Sequence, residues 1–172
     1  MRLFVDGSSH PEDSSISAYI AAATDATENY TQLSLAQRTV TLKAERFSKE
    51  MELPVYPVLS VESITYLDRE GDEQALTDFR FIGDQIPAML EIDSPPSVKE
   101  GGRNITVTLT AGYPSNDSPP SADLVPDGIK QAIMLMTGHF FENRESVVIG
   151  TITSEVPQSF EYLLHPYRVI GV

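Results

Sequence analysis

Cysteine is absent from the 172 residues, so neither a disulfide framework nor a thiolate metal site can be built. That absence also agrees with a cytosolic place of synthesis, and it turns the glycosylation sequons at Asn29 and Asn104 into chance matches. Basic residues are scarce: 12 Lys plus Arg stand against 25 Asp plus Glu, a net charge of −13. Gripping nucleic acid requires phosphates to be neutralised, so this balance argues against a nucleic-acid-binding protein and suits a well-solvated surface. No apolar run approaches the length of a membrane span. The apolar stretch in "MRLFVDGSSH" is too short for the hydrophobic region of a signal peptide.

What is present has three textures. Residues 8–30, "SSHPEDSSISAYIAAATDATENY", read as a helix. Ser9 and Glu12 suit a capping box, Pro11 suits the first turn, and Glu12 and Asp13 favour the positive end of the helix dipole. Ile16, Tyr19, Ile20, Ala23, Thr27 and Tyr30 recur at three and four, which predicts one apolar stripe. From 36 to 113 β-branched and aromatic residues dominate, broken by turn residues. The clearest strand is "NITVTLTAGY", where Ile105, Val107, Leu109 and Ala111 alternate with threonines. "SVESITYLD", a turn around Gly71 and "QALTDFRF" read as two paired strands, with a slip of phase near Ser63 that suggests a bulge or burial on both faces. "AQRTVTL", "ERFSKEMEL" and "AMLEID" complete the expected strands, and prolines 54, 57, 87, 95 and 96 mark segment ends.

A polar, proline-rich connection at 114–127 then leads to a second helix, "GIKQAIMLMTGHFFENRE". A short helical turn "SFEYLL" follows later, and Pro166 predicts that the chain leaves it extended. The expected fold class is α+β: a small helical bundle carrying an inserted antiparallel β-sheet or sandwich-like domain. Its expected parts are an N-terminal helix (1–35), a β-rich insertion (36–113), the loop (114–127), and C-terminal helices with an extended tail (128–172).

The second helix is apolar on more than one side. Ile129, Ala132, Ile133, Met136 and Phe140 form the expected core stripe. Met134 and Phe141 fall on a patch about 100° away, and Leu135 stands on a third side. Covering each of the last three is worth roughly 1.5–3 kcal/mol, and either the β region or a sister subunit could supply the cover. Oligomerisation through Met134, Leu135 and Phe141 is the reading preferred.

Catalytic signatures are missing. His10, His139 and His165 have no partner at metal-ligand spacing, and His139 beside the core stripe reads as structural. The four acids of "DREGDE" fail the calcium-loop pattern, because Gly71 is misplaced and no glutamate holds the twelfth position. The glycines of "GDQIP" and "EGGRN" lack the strand–glycine–helix setting of a phosphate cradle, and no serine sits in a nucleophile elbow. No catalytic, metal or cofactor residue is assigned.

Taken in order, "ISAYIAAATDATENYT", "LPVYPVLSVESITYLDREGD", "ITVTLTAGYP", "VPDGIKQAIMLMTGHFFENRE" and "LLHPYR" resemble the head–tail connector (adaptor) proteins of long-tailed bacteriophages, found also in prophages and gene transfer agents. Each motif is soft; their order and spacing over residues 16–168 carry the likeness. The resemblance implies a non-enzymatic virion protein at the neck, made in the host cytoplasm and needing no cofactor. It also implies a ring, typically of twelve copies, between the portal protein and a tail-terminator or tail-completion protein. DNA would pass through without sequence-specific binding, and no membrane would be involved. The short, β-prone end, Tyr167, Arg168, Val169, Ile170, Gly171 and Val172, would contact the portal. Residues 1–13 fit the family pattern poorly. Two other readings remain: a different phage ring module, such as a tail-completion or tail-terminator protein, or a small β-rich hydrolase.

Overall fold

The computed structural model describes residues 12–114, 124–143 and 158–169. Along the chain run α1 (Asp13–Thr31), then β1 (Arg38–Ala44), β2 (Glu50–Leu53), β3 (Val58–Leu67), β4 (Glu73–Ala75), β5 (Arg80–Ile82), β6 (Ala88–Glu91) and β7 (Ile105–Ala111). After these come α2 (Asp127–Glu142), α3 (Gln158–Leu164) and a 3-10 turn, His165–Tyr167. The fold is α+β, with the strands between α1 and α2 in sequence. Two compact units result, one holding the helices and one the strands.

In the β unit the strict alternation of Ile105 to Ala111 makes β7 a central strand. Its apolar residues are buried and its threonines half-exposed. It pairs antiparallel with β1 on one side and β3 on the other, and β4 completes the order β1-β7-β3-β4. A second antiparallel sheet has the order β2-β6-β5. One core draws on both sheets: Leu53, Ala88 and Leu90 from the second join Ile64, Ile105, Val107 and Leu109 from the first. The phase slip near Ser63 is real, since β3 shifts register against β7 between Val58 and Ser60 and again between Val61 and Ser63.

Two expected strands come out differently. "QALTDFRF" is divided: Glu73–Ala75 pairs with β3, whereas Arg80–Ile82 joins β6 in the other sheet. The polar Thr77 and Asp78 lie at the changeover, where one strand would have to pair in two sheets. "ERFSKEMEL" shortens to Glu50–Leu53, because Ser48 turns its hydroxyl onto the Glu50 carbonyl and diverts the backbone from pairing. The prolines sit at ends as expected, Pro54 just after β2, Pro57 just before β3 and Pro87 just before β6.

In the helical unit α1 packs on α2 and α2 on α3, with a smaller α1–α3 contact. The buried residues of α1 are Ala23, Thr27 and Thr31, one per turn and all small, which permits close approach of a second helix. The hydroxyls of Thr27 and Thr31 donate to the carbonyls of Ala23 and Thr27, so their burial leaves no polar hydrogen unmade. The core face is therefore rotated from the expected stripe: Thr31 joins it, and Ile20 is 46% exposed. Ser9 of the expected capping box and the first-turn Pro11 lie outside the described residues. From α2, Ile129, Ala132 and Met136 are buried, and Phe140 meets Tyr19 with ring centroids 6.4 Å apart. Phe160 and Leu164 of α3 are buried, and Phe160 stands edge-on to Tyr30 at 6.3 Å.

The end of the chain also departs from expectation. Instead of leaving α3 extended, residues His165–Tyr167 make one 3-10 turn, and Pro166 occupies its start. Proline is tolerated there because the first amides of a helix have no intrahelical partner. Extended backbone begins at Arg168, with φ −71° and ψ 121°.

Candidate interaction surfaces

On α2 the stripe Ile129, Ala132 and Met136 is spent on the helical unit itself. Met134 is 59% exposed and Leu135 36% exposed, about 100° apart around the helix and both off that stripe. A side chain added at Gly138 would meet nothing within 4 Å, so the helix face beside Leu135 is open. Phe141 differs: it is half-buried and already engaged within the chain. Two of the three expected interface side chains are thus uncovered by their own unit, and the third is partly spoken for. Met134 supplies a flexible thioether that adapts to irregular partners.

Both ends of α2 are held by capping contacts. Pro126 has no side-chain cap to offer, but its carbonyl accepts the amides of Ile129 and Lys130. Asp127 lies in the first turn, where a negative charge is favoured. At the other end Asn143 donates its side-chain amide to the His139 carbonyl and contacts the His139 ring. His139, half-buried beside the stripe, is the residue on which this end of the helix closes.

The carboxy-terminal segment docks on its own helices through Tyr167 and Arg168. A Cβ on Gly128 would lie 3.0 Å from the Tyr167 hydroxyl and 3.1 Å from its ring, so the tyrosine rests directly on the glycine. The Arg168 guanidinium lies 5.5 Å from the centre of the Tyr30 ring, a cation–π distance. A cavity of about 540 Å³ is lined here by Tyr30, Gly128, Tyr162, Pro166 and Tyr167 among others. Val169 is half-buried, while Ile170, Gly171 and Val172 lie outside the described residues. Nothing in the sequence periodicity signals the Tyr167–Gly128 contact, because it joins residues far apart that carry no shared pattern.

The "DREGDE" acids form a structured turn. Asp68 Oδ1 accepts the amides of Glu70, Gly71 and Asp72 at 3.1, 3.0 and 2.9 Å, and Oδ2 accepts the Gln74 side-chain amide at 2.9 Å. Gly71 takes φ +95°, a conformation that favours glycine. The Gln74 hydrogen bond above all, helped by the backbone amides, holds the Asp68 carboxyl below the ordinary carboxylate range. Because the folded value is depressed, the turn gains from ionised Asp68 above the unfolded value and loses that gain as pH falls through the folded one. In a carboxyl-detected NMR titration Asp68 should ionise at lower pH in the folded chain than in the peptide of residues 68–74, and Gln74→Ala should narrow the gap. Equal midpoints in chain and peptide would contradict the geometry. An aspartate three residues before a glycine is a known turn signal, so this cap was readable in principle.

Among the described residues no cluster of three or more His, Asp or Glu could hold a metal ion, and no helix is long and apolar enough to cross a membrane. Residues 3–170 match the profile of the head completion protein family. No curated protein sequence matches the chain. Among solved structures, the neck of an empty gene transfer agent particle, computed with C6 symmetry, contains a similar chain with a TM-score of 0.75 and 24% identity, covering 100% of this chain and 85% of that one. The neck of the native particle, computed with C12 symmetry, gives a TM-score of 0.71 at 22% identity, covering 99% and 94%. The virion of the native particle gives 0.73 at 23%, covering 99% and 86%. At such identities the likeness is one of fold; the family follows from the profile, and this chain belongs to the head completion protein family.

Proposed function

We propose that this chain is a structural protein of the virion neck that assembles head to tail into a ring, joins the portal to the tail, and leaves a conduit for DNA. The observation that carries the ring is the pair Met134 and Leu135, exposed on a helix whose buried face is already occupied. Unlike patches meeting around a rotation that divides a full turn close into a ring. The family supports the place in the particle. The C6 and C12 symmetries of the necks with similar chains suit twelve copies. A net charge of −13 suits a wall past which DNA slides, since acids within about 8 Å of the duplex repel it at physiological salt. The hydrolase alternative finds no support in the family or in the fold.

Portal contact is proposed for Tyr167 to Val172, with a division of labour. Tyr167 and Arg168 anchor the segment on Gly128 and Tyr30, and the residues beyond reach the partner. Truncation after Arg168 is therefore the informative cut, because it spares the anchor. It should abolish capture by portal protein in a pull-down while ring assembly, read by native mass spectrometry and negative-stain microscopy, is unchanged. Capture by tail-tube protein but not portal would instead assign the chain to the tail-completion role. Unaltered portal capture by the truncated chain would reject the segment's part.

A further inference from the structure

The order β1-β7-β3-β4 leaves two different edges on one sheet, and each carries its own chemistry. We propose that the acidic β3–β4 hairpin of one copy seats against the open β1 edge of the next copy. This rests on the ring reading and names a contact within it.

The receiving side is a groove of about 650 Å³ within the β unit, walled by β1 and β2. Leu42, Ala44 and Met51 make its sides apolar, and Val107 closes the floor. Lys43 and Arg103 stand on its lining, against one acid, Glu52. A terminal strand presents unpaired amides and carbonyls, so it is a template for one more strand. In a chain with 12 basic residues and 25 acids, two cations lining one groove, Lys43 on the edge strand and Arg103 just before β7, are a selective feature. Lysine on an edge discourages indiscriminate pairing and leaves the edge open to a partner of opposite charge.

The inserting side fits that description. Glu70, Asp72 and Glu73 are exposed around the hairpin tip, with Arg69 and the nearby Lys99 offsetting part of their charge. All three residues of β4 are exposed. The four hydrogen bonds to Asp68 hold the tip in one shape before any partner arrives, which lowers the ordering cost of association. Because the two edges lie at opposite ends of the same sheet, joining them is heterologous, the kind of contact that propagates around a ring rather than closing a two-fold dimer.

The cysteine-free sequence makes the test clean. Single variants Thr41→Cys and Ala75→Cys are oxidised alone and mixed, in assembled rings. The mixture should give a disulfide-linked dimer and each single variant alone should give none; the double variant should give a ladder ending at the ring. Lys43→Glu with Arg103→Glu should weaken assembly at least tenfold, and Glu70→Lys with Glu73→Lys in the same chain should restore it. Rings seen by native mass spectrometry with no cross-link in the mixture would overturn this contact and leave the ring standing. No assembly of any size, with or without the neck partners, would overturn both.

Discussion

Changing Met134 and Leu135 together to aspartate is expected to leave the isolated chain folded and to abolish its rings. In the single copy the two side chains are 59% and 36% exposed, so the monomer loses about 1–2 kcal/mol of partial burial, mostly at Leu135, besides helix propensity. Two such replacements inside a helix amount to about 1 kcal/mol. In the assembled state the surface these residues still expose is worth roughly 1.5–3 kcal/mol together if covered, and a buried unpaired carboxylate adds a further penalty of at least about 2 kcal/mol. Since about 1.4 kcal/mol is a factor of ten, each subunit contact should weaken by at least about 100-fold. A ring needs every contact at once, so it should disappear at concentrations where the parent assembles.

The control lies on the same helix. Met136, 6% exposed, belongs to the buried stripe, and Met136→Ala should cost about 2–5 kcal/mol of stability by leaving a cavity. It should lower the thermal midpoint without selectively dissolving rings. Circular dichroism melts and analytical ultracentrifugation separate the two outcomes. If the double aspartate variant still forms rings of parental mass, α2 is not the subunit contact, and the functional reading loses the observation on which it stands.

Legibility in the sequence followed the length of each pattern. Ile105 to Ala111 alternates for seven residues, and its burial follows that alternation residue by residue. The slip at Ser63 was visible because β3 is ten residues long, enough for the phase to be read on both sides of the bulge. Shorter elements were not separable: the three residues of β4 and the three of β5 sit in one continuous β-prone stretch, and only the sheets they join divide them. In α1 the repeat at three and four fits more than one face. Choosing the small-residue face of Ala23, Thr27 and Thr31 over one containing Ile20 depends on how closely α2 approaches, which is a tertiary fact. The apolar excess of α2 was legible, but not how much of Phe141 its own chain would cover. The effect of Pro166 on His165 alone points to extended backbone, whereas Tyr167 resting on Gly128 favours a further turn.

The largest loss of stability from a single methyl group is expected at Gly112. It follows β7 directly, with φ +108°, a conformation that side-chain-bearing residues rarely adopt. Its amide donates to the Pro57 carbonyl at 2.9 Å, and next to it the Tyr113 amide donates to the Leu35 carbonyl. Ala36 bridges to Tyr113 in parallel, so the segment entering β1 and the segment leaving β7 lie back to back here. A Cβ on residue 112 would stand 2.2 Å from the Ala36 carbonyl oxygen and 2.8 Å from the Gln37 Cα. Both are backbone atoms, so no side chain can swing aside. Relief would have to separate the start of β1 from the end of β7, at the point where their ladder begins with Arg38 opposite Ala111. The dihedral strain alone is about 1–3 kcal/mol. With the clash and the disturbed pairing, Gly112→Ala should lose at least about 3 kcal/mol, a large share of a typical domain's 5–15 kcal/mol. Gly101→Ala calibrates it: the φ there is +79°, but a Cβ would meet nothing within 4 Å, so only the dihedral cost applies. Urea unfolding of both variants measures the difference directly. If Gly112→Ala unfolds at the same denaturant concentration as Gly101→Ala, the close approach of Ala36 to residue 112 is not a constraint on this fold.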